Sequence, residues 1–279
     1  MQKITHLKPT SVFYLFIPSL IATAVSLLAN YLLDVNQFNS SLQMLAFAAI
    51  PPITFVLIGL SAVAAVFIGG MSFFRSYNRF TAKRDKLLLE STNAEGEFTV
   101  TGISTRSLVS ILVPLLVGAA VFLASYLVMS VVITSVTMPL PATELGADWL
   151  GGILQLFFIV LLIGTPIITL IILLSLLLAS AVYNGVAGEG KGVSFRLREG
   201  EAGLVLNKIS LRSIGYWLPS HLAVNVVSGL LAMLLGSMNL TSLLFSIGLS
   251  IPLLWLTAWL YNLFSGKGGI TLRLSEEGE

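Results

Sequence analysis

Few side chains in this chain have the type and spacing to do chemistry. The stretch GVAGEGKG at residues 185–192 comes within one residue of the phosphate-binding pattern G-x-x-x-x-G-K-[ST]. Its last position is Gly192, where the pattern needs a hydroxyl. It also follows an apolar helix and opens a strand, whereas a phosphate loop follows a strand and opens a helix. The glycines are therefore read as a sharp turn out of the membrane. A second candidate is a polar stripe: His221, Asn225 and Ser228, continued by Ala232 and Gly236, recur at spacings of three and four and share one helix face. Two readings of the stripe stand. It is a packing face, because polar groups in lipid turn inward and small residues let backbones approach, or the three polar residues line a hydrated cavity with His221 as its titratable member. A third group is Arg106, Lys191, Arg212 and Lys267, at the ends of apolar stretches where anionic headgroups lie. Each such charge contributes about 1 kcal/mol of attraction to acidic lipid. There is no cysteine, which removes disulfides, thiolate metal sites and thiol nucleophiles. No His-Glu zinc motif, Ser-His-acid set or carboxylate pair falls within an apolar stretch, so no catalytic residue, cofactor or metal is expected.

The elements that must position these residues follow from composition. Of 279 residues, 56% are hydrophobic and 10% charged, against about 25% charged in soluble domains. Such a chain belongs in lipid. Six segments carry no Asp, Glu, Lys or Arg: 12–33, 53–74, 108–137, 153–182, 214–237 and 240–264. About 20 residues suffice to cross a bilayer, and without water to satisfy the backbone such segments must be helices. The expected fold class is an all-α polytopic protein with six transmembrane helices. Ala22-Thr23-Ala24 imitates a signal-cleavage site, but the apolar run exceeds a signal core of roughly 7–15 residues, so the first segment is read as a retained helix. All fifteen Lys and Arg fall in the N-terminal stretch, the second and fourth loops, or the C-terminal stretch. The positive-inside rule then predicts a multi-pass cell-membrane protein with both termini cytoplasmic. The net charge of +2 is too small to suggest nucleic acid as a partner.

The chain also writes similar sentences three times. ITHLKPTSVFYLFIP (4–18), TGISTRSLVSILVP (101–114) and NKISLRSIGYWLP (207–219) lead into apolar segments alike, aligning Leu7, Ile103 and Ile209, then Ser11, Ser107 and Ser213, then Pro18, Pro114 and Pro219. Tyr77-Asn78, Tyr183-Asn184 and Tyr261-Asn262 close alternate apolar segments. The last two pairs run on through glycine-rich turns into VSFRL and ITLRL. Three tandem units are expected, 1–96, 97–202 and 203–279, each a helix hairpin. Hairpins of equal polarity predict a pseudo-three-fold about the membrane normal. Period-two alternation in FTVTGI, LVLNKI, VSFRLR and TLRL predicts half-buried strands, gathered into a small cytoplasmic β-sheet from the inter-unit segments.

The stretches KITHLKPTSV and YNLFSGKGGITLRLSEEGE carry a resemblance. The unit is similar to a two-helix transmembrane domain of unknown function found mostly in actinobacterial membrane proteins. Its pattern is matched by Ile4 to Ser11 with Pro9, and by Tyr261, Asn262, Leu263, Gly268, Gly269, Ile270 and the acidic tail. The second and third units depart from it at Thr105 and Leu211, where the pattern has proline. The resemblance implies the hairpin fold and assigns no activity, ligand or catalytic residue. The function expected from the residues is a non-catalytic integral membrane scaffold or accessory subunit of a membrane complex. Its partners would be the lipid bilayer and a membrane protein or further copies of the chain. The alternative is a channel or uncoupled transporter for a small neutral or anionic solute through the centre of the hairpin bundle. The spans hold no Asp, Glu, Lys or Arg, which weighs against proton or cation coupling.

Overall fold

The computed structural model of the chain describes residues 2–14, 18, 20–21, 52–81, 87–94, 97–137, 152, 154–155, 157–188, 191–200, 203–234 and 240–276. In chain order these form β1 (Gln2–Leu7), α1 (Pro52–Ser76), β2 (Leu87–Ala94), β3 (Glu97–Ile103), α2 (Leu112–Thr137), α3 (Thr165–Val186), β4 (Val193–Gly200), β5 (Gly203–Ile209), α4 (Leu218–Leu234), α5 (Leu240–Phe264) and β6 (Ile270–Glu276).

The expected all-α fold class is corrected by the strands. The six strands form one closed antiparallel barrel in the order β1-β2-β3-β4-β5-β6, with β6 returning to pair with β1. The molecule is a β-barrel joined to a helical layer, and what was expected to be a small sheet has no open edge among the described residues. The physical reason lies in the edges. A short open sheet leaves unpaired N–H and C=O groups on both sides, and closure removes them. Hydropathy along the sequence reports the apolar helices and is blind to half-apolar strands of seven or eight residues.

The pairing register occurs three times. Within each of the expected units the partners are Ile4 with Leu87, Val100 with Val193, and Leu206 with Ile270. Between units they are Leu7 with Leu272, Leu89 with Ile103, and Phe195 with Ile209. Each leading strand carries one extra residue at the same place. Thr5, Thr101 and Asn207 are skipped where the register shifts. Such bulges bend a strand and increase its twist, which a barrel of only six strands needs in order to close.

Five helices pack on the barrel's open end among the described residues, each against the next along the chain. Four stretches are long and apolar enough to cross a membrane: Gly59–Phe80, Thr105–Ile133, Phe157–Val186 and Leu243–Phe264. The fifth, Leu218–Leu234, is shorter, and the first expected span, 12–33, lies almost wholly outside the described residues. Pro114 and Pro219 sit in the first turns of α2 and α4, where a missing N–H has no helical partner to lose. The third helix runs from Phe157 through a π-helical stretch, Val160–Gly164, into α3. Among the described residues every Lys, Arg, Asp and Glu lies in a strand, in a turn beside one, or in the last turn of a helix, so charge is confined to the barrel and its junction with the helices.

Candidate functional site

The junction is where the repeated residues meet. Tyr77, Tyr183 and Tyr261 close their helices and are almost wholly buried. Each hydroxyl donates to a leading-strand carbonyl just before the bulge: Ile4 O at 2.7 Å, Val100 O at 2.5 Å and Leu206 O at 2.6 Å. Each also accepts the N–H of the first trailing-strand residue, Leu87 at 3.2 Å, Val193 at 2.8 Å and Ile270 at 3.1 Å. One phenol thus bridges both strands of a unit at the point where they separate.

The asparagine that follows closes the last step of the leading strand. Asn78 accepts from Leu7 N and donates to Leu7 O, at 2.8 and 2.7 Å. Asn184 does the same to Ile103 and Asn262 to Ile209. A side-chain amide presents one donor and one acceptor in a plane, so it stands in for the strand partner that is missing there. The serines fasten the turn from strand to helix. Ser107 accepts from Leu88 N and donates to Ser104 O, and Ser213 accepts from Ser194 N and donates to Ser210 O. Ser11 likewise donates to Lys8 O.

The same geometry explains the near-phosphate loop. A Cβ on Gly192 would stand 1.8 Å from Val100 O and 2.9 Å from the Tyr183 hydroxyl. On Gly269 it would stand 2.1 Å from Leu206 O and 3.0 Å from the Tyr261 hydroxyl. These two glycines let the trailing strand pass under the tyrosine. Gly185 and Gly188 meet nothing within 4 Å, and Glu189 and Gly190 lie outside the described residues.

Inside the barrel and reaching into the helical layer is a cavity of about 410 Å³. Apolar residues of all six strands line it, together with Trp217, Leu254 and Ala258 on the helical side. The volume falls within the range of small-ligand pockets, and walls this apolar stay dry. Period-two alternation in the strands is the sequence signal for an apolar inner face, but the cavity could not be read before closure was known. None of His221, Asn225 and Ser228 lines it. His221 and Asn225 are half-buried on α4 and Ser228 is exposed. The Asn225 amide donates to His221 O within its own helix, and the His221 ring faces the Ser250 backbone of α5. Arg106, Lys191 and Arg212 are exposed around the junction, and Lys267 lies in the turn before β6. Among the described residues no three His, Asp or Glu come together as a metal site would require. No protein-family model matches the chain, and neither does any curated protein or solved structure.

Proposed function

We propose that this protein is a non-catalytic membrane scaffold, three repeated hairpin units fused into one body, that serves as an accessory subunit of a membrane complex. The observation that carries this reading is the use made of the recurring polar residues: the Tyr and Asn side chains and the equivalent serines hold strands and turns of the fold itself. A barrel without free edges, bound to apolar helices, is a rigid platform. The positive-inside rule puts that platform, with its Lys and Arg, on the cytoplasmic side. An apolar barrel wall favours this reading over a conduit, whose axis would need polar groups. The test is tagged purification from native membranes followed by native electrophoresis. A stoichiometric membrane-protein partner retained through purification is the expected result. A chain that purifies alone and gives solute flux above empty liposomes overturns the scaffold.

The cavity supports a second reading, in which the barrel holds an apolar chain drawn from the bilayer. Organic extraction and mass spectrometry of the purified protein should then yield about one apolar molecule per chain. Ala258→Phe, which fills the helical side of the cavity, should expel it. A clean extract from the folded parent removes this reading.

A further inference from the structure

A second concavity, of about 610 Å³, lies on the outer face of the barrel, at the seam where β6 meets the turn after β1. Two cations, Lys8 and Arg198, line it with Thr10, Tyr14 and Thr271, over the backbone of Gly268 and Gly269. Among the described residues no Asp or Glu lines it and neither cation forms an ion pair. Glu199 alternates to the other side of β4 from Arg198. Gly268 makes room for the tyrosine: a Cβ there would stand 2.1 Å from the Tyr14 hydroxyl. Phe13, which also lines the groove, is 48% exposed at the start of the helical layer, so an apolar surface begins where the cationic one ends.

The barrel's own register gives an internal comparison. The position of Lys8 is held by Ser104 and Ser210 in the other two units, and that of Arg198 by Thr92 and Ser275. Two neutral hydroxyl residues occupy these positions at each of the other seams, and two cations at this one. The fold requires neither charge, because it closes twice without them.

We propose that this groove binds a phosphate group, that of an anionic phospholipid in the leaflet bordering the barrel. Arg and Lys form charge-assisted hydrogen bonds to phosphate oxygens, and the hydroxyls of Thr10 and Tyr14 supply further donors. The exposed Phe13 side lets the acyl chains continue into the bilayer. A soluble phosphate compound shares the headgroup chemistry but leaves that apolar flank unused.

The test is native mass spectrometry of the purified full chain released from detergent, titrated with phosphatidylglycerol, with phosphatidylcholine, and with phosphatidylglycerol against inorganic phosphate. The parent should retain one phosphatidylglycerol in preference to phosphatidylcholine. Lys8→Ser/Arg198→Thr, which installs the residue types of the other seams, should weaken that binding at least tenfold. Lys208→Ser/Arg196→Thr, which removes the same charge from exposed barrel positions outside the groove, should not, and Lys8→Arg/Arg198→Lys should retain it. Circular dichroism on each variant separates lost binding from lost fold, and the Lys/Arg exchange keeps the site testable if the Ser/Thr variant unfolds. Equal weakening by both charge-removing pairs, or equal binding of phosphatidylcholine, overturns the site. Displacement of the lipid by millimolar inorganic phosphate overturns the lipid assignment in favour of a soluble phosphate compound.

Discussion

The Tyr183 hydroxyl sits between Val100 O and Val193 N, and the residue is 1% exposed. Removing it strands a buried carbonyl and a half-buried N–H at once. A lost hydrogen bond that leaves a buried partner unsatisfied costs about 1–3 kcal/mol. Tyr183→Phe should therefore lower the melting temperature of the detergent-solubilised protein. Tyr126→Phe, whose ring stacks on Phe122 along α2, should leave it within a degree or two; equal melting of the two variants would show that the bridge contributes nothing. The glycines divide more sharply. Gly192→Ala drives a Cβ into the Val100 carbonyl, where backbone rather than a side chain must move, and should destabilise more than Tyr183→Phe. Gly185→Ala lies in open space inside α3 and should stabilise slightly, since alanine outranks glycine in a helix by up to about 1 kcal/mol. Should both alanines behave alike, the glycine-rich turn has some role other than passage beneath the tyrosine. In the sequence these letters are visible as recurrences, but their work is not. Tyr77 and Tyr183 reach partners 73 and 83 residues away, and nothing in a linear pattern says which backbone atom a phenol will meet.

The helices are held to one another by close approach as well as by the junction. At the crossing of α1 and α2, a Cβ on Gly69 would stand 2.9 Å from Gly118 O, and one on Gly118 would stand 3.0 Å from Phe73 Cβ. Small residues at such crossings take the place of a hydrophobic driving force, which is absent between helices in lipid. Gly118→Val should separate the pair and lower thermal stability. Gly248→Val, on α5 with nothing within 4 Å, is the matched control. A common melting temperature for the two would mean the crossing carries no packing energy. Elements of this kind were legible to different degrees. Charge-free runs marked α1, α2, α3 and α5 because crossing a bilayer demands long apolar stretches. Strand-like alternation in VSFRLR and FTVTGI marked β4 and β3. LLLESTNA, which forms β2, opens on three leucines and lacks the alternation, so nothing local distinguishes it from the end of a helix. The polar stripe on α4 was legible as a stripe; the register of α4 on its neighbours, which sends Ser228 outward, was not.

Closure of the whole molecule depends on its two outermost strands. β1 and β6 come from opposite ends of the chain and pair over Gln2–Leu7 and Leu272–Glu276; without that pairing two edges would stand open. Closure is the property least visible in the sequence, because each strand pair can be argued locally while the last pairing spans nearly the whole length. It is also directly testable, because the chain has no cysteine of its own. Lys3 and Ser275 face each other in the ladder, and paired antiparallel residues have Cα atoms about 4.5–5.5 Å apart, within the range a disulfide spans. Lys3→Cys/Ser275→Cys should oxidise to an intramolecular bridge that gives a monomer of altered gel mobility, reversed by reductant. Lys3→Cys/Arg196→Cys, whose residues have different partners in the ladder, should stay reduced under the same conditions. The bridged protein should resist thermal unfolding more than the reduced one, because a cross-link between distant residues removes freedom mainly from the unfolded chain. An open sheet would behave differently: its two end strands would meet those of other molecules, and oxidation would give disulfide-linked dimers and larger species in place of the bridged monomer.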